Sequence, residues 1–296
     1  MKCYSGYLYA LMAAVFNAMI GIFSVKIMEI GLSPYAVAFF KCLIALAILT
    51  SWLLVSGQIM RWTQYLKERP WQLPVAAFFG IFVLLFFETA AYKFEKVTII
   101  VFMLLGSSVL TTFILSSILD KRWMYLSELM SCILAIAGLA LIFGINMISS
   151  ESFFGIFLAM LAGIGYGTFL TINPRFRIGS GLMVVNSLML YGTIYLFIPF
   201  CYEGMVFPSD MKTVVLLVFL ALLPTIGGFL CTTRALTLIK SKSVQLIELT
   251  EPLLSLALSF FLLGQTITFW QVIGGTMLIS SIYINAISSK PAVRND

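Results

Sequence analysis

Histidine is absent from this 296-residue chain, and charge of either sign is scarce: 18 Lys and Arg and 12 Asp and Glu make up 10% of it. Without His, the commonest general base and metal ligand is missing. Asp occurs only at Asp120, Asp210 and Asp296. A membrane-embedded enzyme acting on lipids usually needs a cluster of His, Asp or Ser near a boundary. It has little to build on here, so no catalytic residue is assigned. Five cysteines, Cys3, Cys42, Cys132, Cys201 and Cys231, show no CxxC spacing. Neither a thiolate metal site nor a disulfide framework is signalled, and the cysteines read as small buried apolar residues. No metal and no cofactor are expected. No ATPase motif is present, so a driving force, where one exists, is a gradient of substrate, proton or other ion.

What the chain has in excess is apolar surface. Hydrophobic residues make up 61% of it, against roughly 45–50% in soluble domains. Runs free of Asp, Glu, Lys and Arg include Cys3–Val25, Cys42–Met60, Val97–Leu119, Ser152–Pro174, Ile178–Tyr202 and Pro252–Ser289. A spanning helix needs about 20 mainly apolar residues. Ten spans are predicted, at 5–27, 34–56, 73–95, 97–119, 125–147, 152–174, 181–203, 213–238, 243–263 and 268–288. The first is too long, and followed by too many others, to be a signal peptide. Breaks between spans carry Gly31-Leu32-Ser33-Pro34, Gly57, Pro70, Ser149-Ser150-Glu151, Gly179-Ser180-Gly181 and Pro208-Ser209-Asp210. Trp62, Trp71, Trp123 and Trp270 lie in or beside the breaks, where indoles favour the headgroup level. The connection 57–72 is too short for a catalytic domain.

The net charge of +6 belongs to topology, not to nucleic acid, because Lys and Arg sit at segment ends without forming a basic face. With the N-terminus in the cytoplasm, the outer side holds Lys26, Lys93, Lys96 and Lys212, against twelve basic residues on the inner side. The positive-inside rule then places both termini in the cytoplasm of a cell (inner) membrane.

The chain repeats itself. Ala10, Ala14 and Ala18 match Ala159, Gly163 and Gly167 at one constant offset, as do Gly6 with Gly155 and Lys26 with Arg175. Later, Ala91 matches Ala235, Lys96 matches Lys240 and Leu119 matches Leu263 at a second offset. Two halves are therefore expected, 1–150 and 151–296, each of five spans. An odd number of crossings per half turns the second copy upside down, the build of a secondary transporter with its site near the midplane. The small residues at four-residue spacing form a stripe for close helix approach. Gly163-Ile-Gly165-Tyr-Gly167 lies inside an apolar span with no strand before it, so it reads as packing surface and not as a nucleotide loop.

These residues resemble the ten-helix drug/metabolite transporter superfamily, with its paired EamA-type domains. The resemblance rests on Thr89 to Lys96 (TAAYKFEK), Thr233 to Lys240 (TRALTLIK), and Glu251-Pro252 followed by Phe261 to Gly264 (FLLG). Gln265 stands where the family usually has Glu, and Ser107-Ser108 replaces a proline region in the first half. The resemblance implies an all-α membrane protein of two inverted five-helix repeats. Helices 1–4 and 6–9 would line a central cavity, with helices 5 and 10 peripheral.

Ionisable residues inside a span are costly and mark functional sites by default. Lys41, Glu88, Arg234, Glu248 and Glu251 qualify. By depth, Lys41 and Glu88 pair about 10 Å below the outer boundary, while Arg234, Glu248 and Glu251 cluster about 6 to 12 Å from the inner one. Two readings stand side by side. In one, the charges bind the poles of a zwitterion, or take up a proton at Glu88, and change partners as the halves rock. In the other they are fixed buried salt bridges or snorkelling side chains. Expected substrate-binding residues are Glu88, Tyr166, Lys41, Asn17, Tyr191, Phe87 and Phe229, with rings able to face a cation. Arg234, Glu248 and Glu251 are expected in gating or coupling. The expected function is alternating-access transport of a small polar metabolite such as an amino acid, by export or exchange. The transport alternative is an organic cation such as a quaternary ammonium compound. Expected partners are the substrate, membrane lipid and a proton or other coupling ion, with the protein monomeric or dimeric.

Overall fold

Backbone that crosses lipid must satisfy its own hydrogen bonds, so apolar runs of this length are helices or close into a barrel. The computed structural model describes residues 2–95, 97–143, 153–208, 210–254 and 268–288, and among them no strand occurs. Among the described residues, eight helices are long and apolar enough to span a bilayer, and Leu126–Ile142 is a shorter apolar one. This is an all-helical, multi-pass membrane protein.

The first span departs from the expected single helix. It consists of α1 (Lys2–Asn17) and α2 (Ile20–Glu29), separated at Ala18 and Met19. The second, α3 (Pro34–Val55), begins where the punctuation places it. Ser33 Oγ accepts from the Ala36 amide at 3.2 Å, and Pro34 presets the first helical φ. The 57–72 connection contains α4 (Ile59–Glu68). Here one expectation is corrected: Trp71, Trp123 and Trp270 are exposed, but Trp62 is buried. Its indole N–H donates to Ser187 Oγ of the seventh span at 2.9 Å, a partner no headgroup position offers. Beside it, the Tyr65 hydroxyl donates to the Ile178 carbonyl at 2.7 Å. Burial, opposed by the Arg69 charge, pushes that phenol up to about 12, so it remains a donor. The connection is thus a tether between the halves.

The third span runs through α5 (Gln72–Ala77), a π-helical segment Phe78–Val83 and α6 (Leu84–Ala91). The fourth to seventh are α7 (Val97–Leu119), α8 (Leu126–Phe143), α9 (Phe153–Arg175) and α10 (Leu182–Tyr202). The eighth repeats the build of the third: α11 (Met211–Leu220), a π segment Ala221–Gly228 and α12 (Phe229–Leu238). The offset that aligns Ala91 with Ala235 lays 78–83 onto 222–227, so the wide turn sits at the same place in both halves. The ninth opens with α13 (Ser241–Glu248), turns at Leu249 and Thr250, and is helical again over 251–254. The rest of that expected span lies outside the described residues, as do Ser149-Ser150-Glu151, Phe261 to Gly264 and Gln265. The tenth is α14 (Phe269–Ser288).

Packing obeys an exchange of the two halves. The first span lies on the eighth as the sixth lies on the third, and α7 packs on α9 as α13 packs on α1. The self-related pairs α3 with α10, and α8 with α14, complete the set. At one end, which we call the basic end, meet the ends of α3, α7, α9 and α12 and the starts of α5, α8, α10 and α13. The small-residue stripe of α9 finds its partner in α7. A Cβ on Gly163 would overlap the Leu104 carbonyl oxygen and Ser107 Oγ, and one on Gly167 would lie 2.6 Å from the Ser108 oxygen. Such proximity lets side chains bond across: Ser107 Oγ donates to Met160 O at 3.1 Å and Thr112 Oγ1 to Gly167 O at 3.4 Å.

Candidate functional site

Where the first and ninth spans are interrupted, they face a cavity closed by the third, fourth, sixth and eighth. Its lining includes Asn17, Glu88, Tyr166, Phe229, Thr232 and Glu251, set among Ile20, Leu84, Leu85, Val101, Leu104 and Leu105. Its volume of about 50 Å3 has room for only a few waters. Asn17, the last residue of α1, reaches the cavity because Gly228 has no side chain: a Cβ there would lie 2.6 Å from Asn17 Oδ1. Apolar walls with a few convergent polar groups are the build of a small-molecule site.

The carboxylates are not alike. Glu248 is 1% exposed, and both of its oxygens are engaged: Oε2 accepts from the Tyr166 hydroxyl at 2.6 Å and Oε1 from Thr232 Oγ1 at 2.7 Å. Glu88 has one oxygen engaged, with Oε1 accepting from the Tyr92 hydroxyl at 2.9 Å, while buried Oε2 has no partner among the described residues. Glu251 carries no hydrogen bond or ion pair to any described residue, yet lines the same cavity. Lys41, 1% exposed in α3, acts electrostatically on Glu88, but no contact within 4.0 Å joins it to a described carboxylate. Buried polar atoms without partners are rare and call for a water or ligand. The free oxygen of Glu88 and the unengaged Glu251 give the cavity an acidic character.

Of the residues expected to bind substrate, the structure brings Asn17, Glu88, Tyr166 and Phe229 to the cavity. Lys41 does not line it. Tyr191 and Phe87 do not line it; both pack, half-buried, against the apolar core. Of the three expected gating residues, Glu251 lines the cavity and Glu248 lies one hydrogen bond behind it. Arg234 is separate: it projects from the exposed face of α12, and its guanidinium donates to Ser180 Oγ at 3.3 Å. Its position on the helix turns it away from Glu248, a direction that depth alone does not reveal. Thr232, at the repeat-equivalent position of Glu88, was missed in sequence, although the offset of the second repeat points to it.

Sequence reasoning also missed an ionic network at the basic end. Arg122 grips Glu128 with two nitrogens, at 2.8 and 3.0 Å, and Lys242 Nζ lies 2.9 Å from the same carboxylate. Lys242 also donates to Ser117 Oγ at 3.0 Å. Arg175 pairs with Asp120 at 2.5 Å. Both Glu128–Lys242 and Asp120–Arg175 cross from the first half to the second. The signal was present in Glu128, a carboxylate inside an apolar run. At the opposite end, contacts between halves are aromatic: Phe39 stacks on Phe200 with centroids 4.5 Å apart, and Phe94 meets Phe154 edge-on at 5.0 Å.

Known proteins share this sequence and shape. A family model for the EamA-like transporter family matches residues 4–144 and 153–287. An uncharacterized transporter of Archaeoglobus fulgidus is 26% identical over 264 residues, covering 86% of this chain and 88% of the relative. A probable amino-acid metabolite efflux pump of Salmonella typhimurium is 23% identical, over 70% of this chain and 72% of its own. A pump of the same description from Escherichia coli is 26% identical over 51% of this chain and 56% of its own. One crystal structure of another protein superposes with a TM-score of 0.78 at 16% identity, covering 96% of this chain and 97% of that one. It shares the fold.

Proposed function

The chain belongs to the EamA-like transporter family, and we propose that within it this transporter moves a small amine-bearing metabolite, an amino acid or related zwitterion, by alternating access. The observation that carries this is the acidic cavity between interrupted spans: Glu88 Oε2 and Glu251 lack partners among the described residues, amid apolar walls. These carboxylates take the ammonium group. Asn17 offers a hydrogen bond to the carboxylate end, and the leucines and Phe229 accept the side chain. A cavity of about 50 Å3 is too small for such cargo, so the loaded state is wider and the surrounding helices move apart. The names of the Salmonella and Escherichia relatives support efflux of amino-acid metabolites. The basic end faces the cytoplasm under the positive-inside rule, which puts both termini there.

Transport is driven by a gradient, with Glu88 as the group that exchanges partners. Proteoliposome counterflow with labelled amino acids and a labelled quaternary ammonium compound is the test. Amino-acid flux that falls about tenfold or more in Glu88→Gln is the expected result, and flux equal to wild type at every pH removes Glu88 from the mechanism. The excess of carboxylates over Lys41 also favours a second reading, transport of an organic cation. That reading replaces the first if only the quaternary compound moves.

A further inference from the structure

A second and larger cavity, of about 540 Å3, opens at the basic end, between the ends of α7, α9 and α12 and the starts of α8 and α13. Its wall carries Arg122, Arg175, Arg177, Lys240 and Lys242 against Asp120 and Glu128. The two carboxylates are already engaged by Arg122, Arg175 and Lys242. Arg177 and Lys240 are left with no ion pair to any described residue. A third donor is built in: Asn173 is 1% exposed, and its Nδ2 has no acceptor among the described residues. A buried amide nitrogen left so loses its water without replacement, unless an oxygen from outside completes it.

The backbone presents the same site. Two residues past the end of α9, Arg177 sits at φ 51, in the left-handed region, where its amide bonds Pro174 O at 3.3 Å and that of Ile178 bonds Asn173 O at 3.4 Å. Glycine is the customary residue in that closing turn. An arginine held there, at a cost in strain, brings a guanidinium to the wall that Asn173 occupies.

We propose that this vestibule is a carboxylate-binding site for a small soluble organic acid or amino acid, held by Asn173 Nδ2, Arg177 and Lys240. Its place in transport rests on the reading of the central cavity. The cationic vestibule takes the anionic end of the cargo, and the acidic cavity beyond takes the ammonium. The binding site itself stands without that reading, because binding is measured without flux.

Succinate is the probe, titrated calorimetrically into the full-length protein in nanodiscs of phosphatidylcholine alone and of phosphatidylcholine with phosphatidylglycerol. Saturable binding in the neutral discs, weakening as salt rises, is expected. Arg177→Gln and Lys240→Gln, both at exposed positions, each weaken it by about threefold to fivefold. Asn173→Asp keeps the shape, replaces the free donor by a negative charge and abolishes binding, while Glu88→Gln leaves it unchanged. Wild-type affinity in the Arg177→Gln/Lys240→Gln double variant overturns the proposal, even if Asn173→Asp fails to fold. So does failure of succinate to bind in neutral discs while phosphatidylglycerol raises the melting point of wild type but not of the double variant. That result gives the vestibule to a lipid headgroup.

Discussion

Two walls of the central cavity are copies of one another in sequence and opposites in build. On one side, α7 and α9 run unbroken and touch backbone to backbone. On the other, their repeat equivalents, the ninth and first spans, are interrupted at Leu249–Thr250 and Ala18–Met19. The substitutions between copies explain much of the contrast. Gly163 and Gly167 correspond to Ala14 and Ala18, whose methyl groups fill the space those glycines leave open. Ser107 and Ser108 correspond to Glu251 and Pro252. Proline lacks the N–H that would bond the Glu248 carbonyl one turn back, and its ring crowds that carbonyl. The helix turns just before it. The two copies thus differ: one wall is unbroken and closely packed, and the other is interrupted and carries the carboxylate of Glu251. Discontinuous helices of this kind form the sites of many secondary transporters.

The contrast can be broken at several points. Gly163→Val should do most harm, because any side chain there meets the Leu104 carbonyl and Ser107. A loss of about 3 kcal/mol or more is expected, read as loss of folded protein in thermal melts followed by size exclusion. If the variant melts with wild type, α7 and α9 are not a rigid wall. On the interrupted side, Glu248→Gln and Glu251→Gln should separate. The first loses one of two donated hydrogen bonds and costs about 1–3 kcal/mol of stability. The second leaves melting unchanged and lowers amino-acid flux about tenfold, since Glu251 has no partner to lose among the described residues. Identical behaviour of the two variants would deny that the carboxylates differ. Pro252→Ser rewrites the ninth span as the fourth. It should raise stability by about 1 kcal/mol, through the helix propensity recovered, while lowering flux. Smallest of all, Gly106→Ala places a methyl where nothing lies within 4 Å. It should be neutral or stabilise α7 by less than about 1 kcal/mol, and a clear loss would mean that α7 packs more tightly at Gly106 than the contacts indicate.

Much of this arrangement was written in residue types. Lipid demands long apolar runs, so the spans are legible, and the small residues at 159, 163 and 167 announced a close helix contact. Their partner was not legible, because nothing along the chain says that α7 passes there. Glu88 and Glu251 stood out by their cost in lipid, but which face of its helix Arg234 occupies is a matter of rotation. Pro252 and Pro224 give local cause for irregular backbone in the ninth and eighth spans. No such residue marks Ala18–Met19, nor the π segment Phe78–Val83. There the contacts of neighbouring helices decide, and they are settled only when the chain is packed. The network of Arg122, Glu128 and Lys242 joins residues far apart in sequence; topology counting had put Arg122 and Lys242 on the same inner border, without saying which side chains would meet there.

The wide turns in the third and eighth spans have a geometric consequence. In an α-helix each residue advances the direction of its side chain by about 100°, and a π segment absorbs surplus residues without that advance. Deleting one residue between positions 78 and 83 would let the helix rewind regularly with α6 facing as before, whereas winding the same residues as regular α-helix would swing all of α6 about its axis by about 100°. Glu88 would then address the neighbouring helix or the lipid in place of the cavity, with every residue of α6 intact. The bearing of this carboxylate is therefore written one to three turns away from it, in the winding of a segment that does not line the cavity.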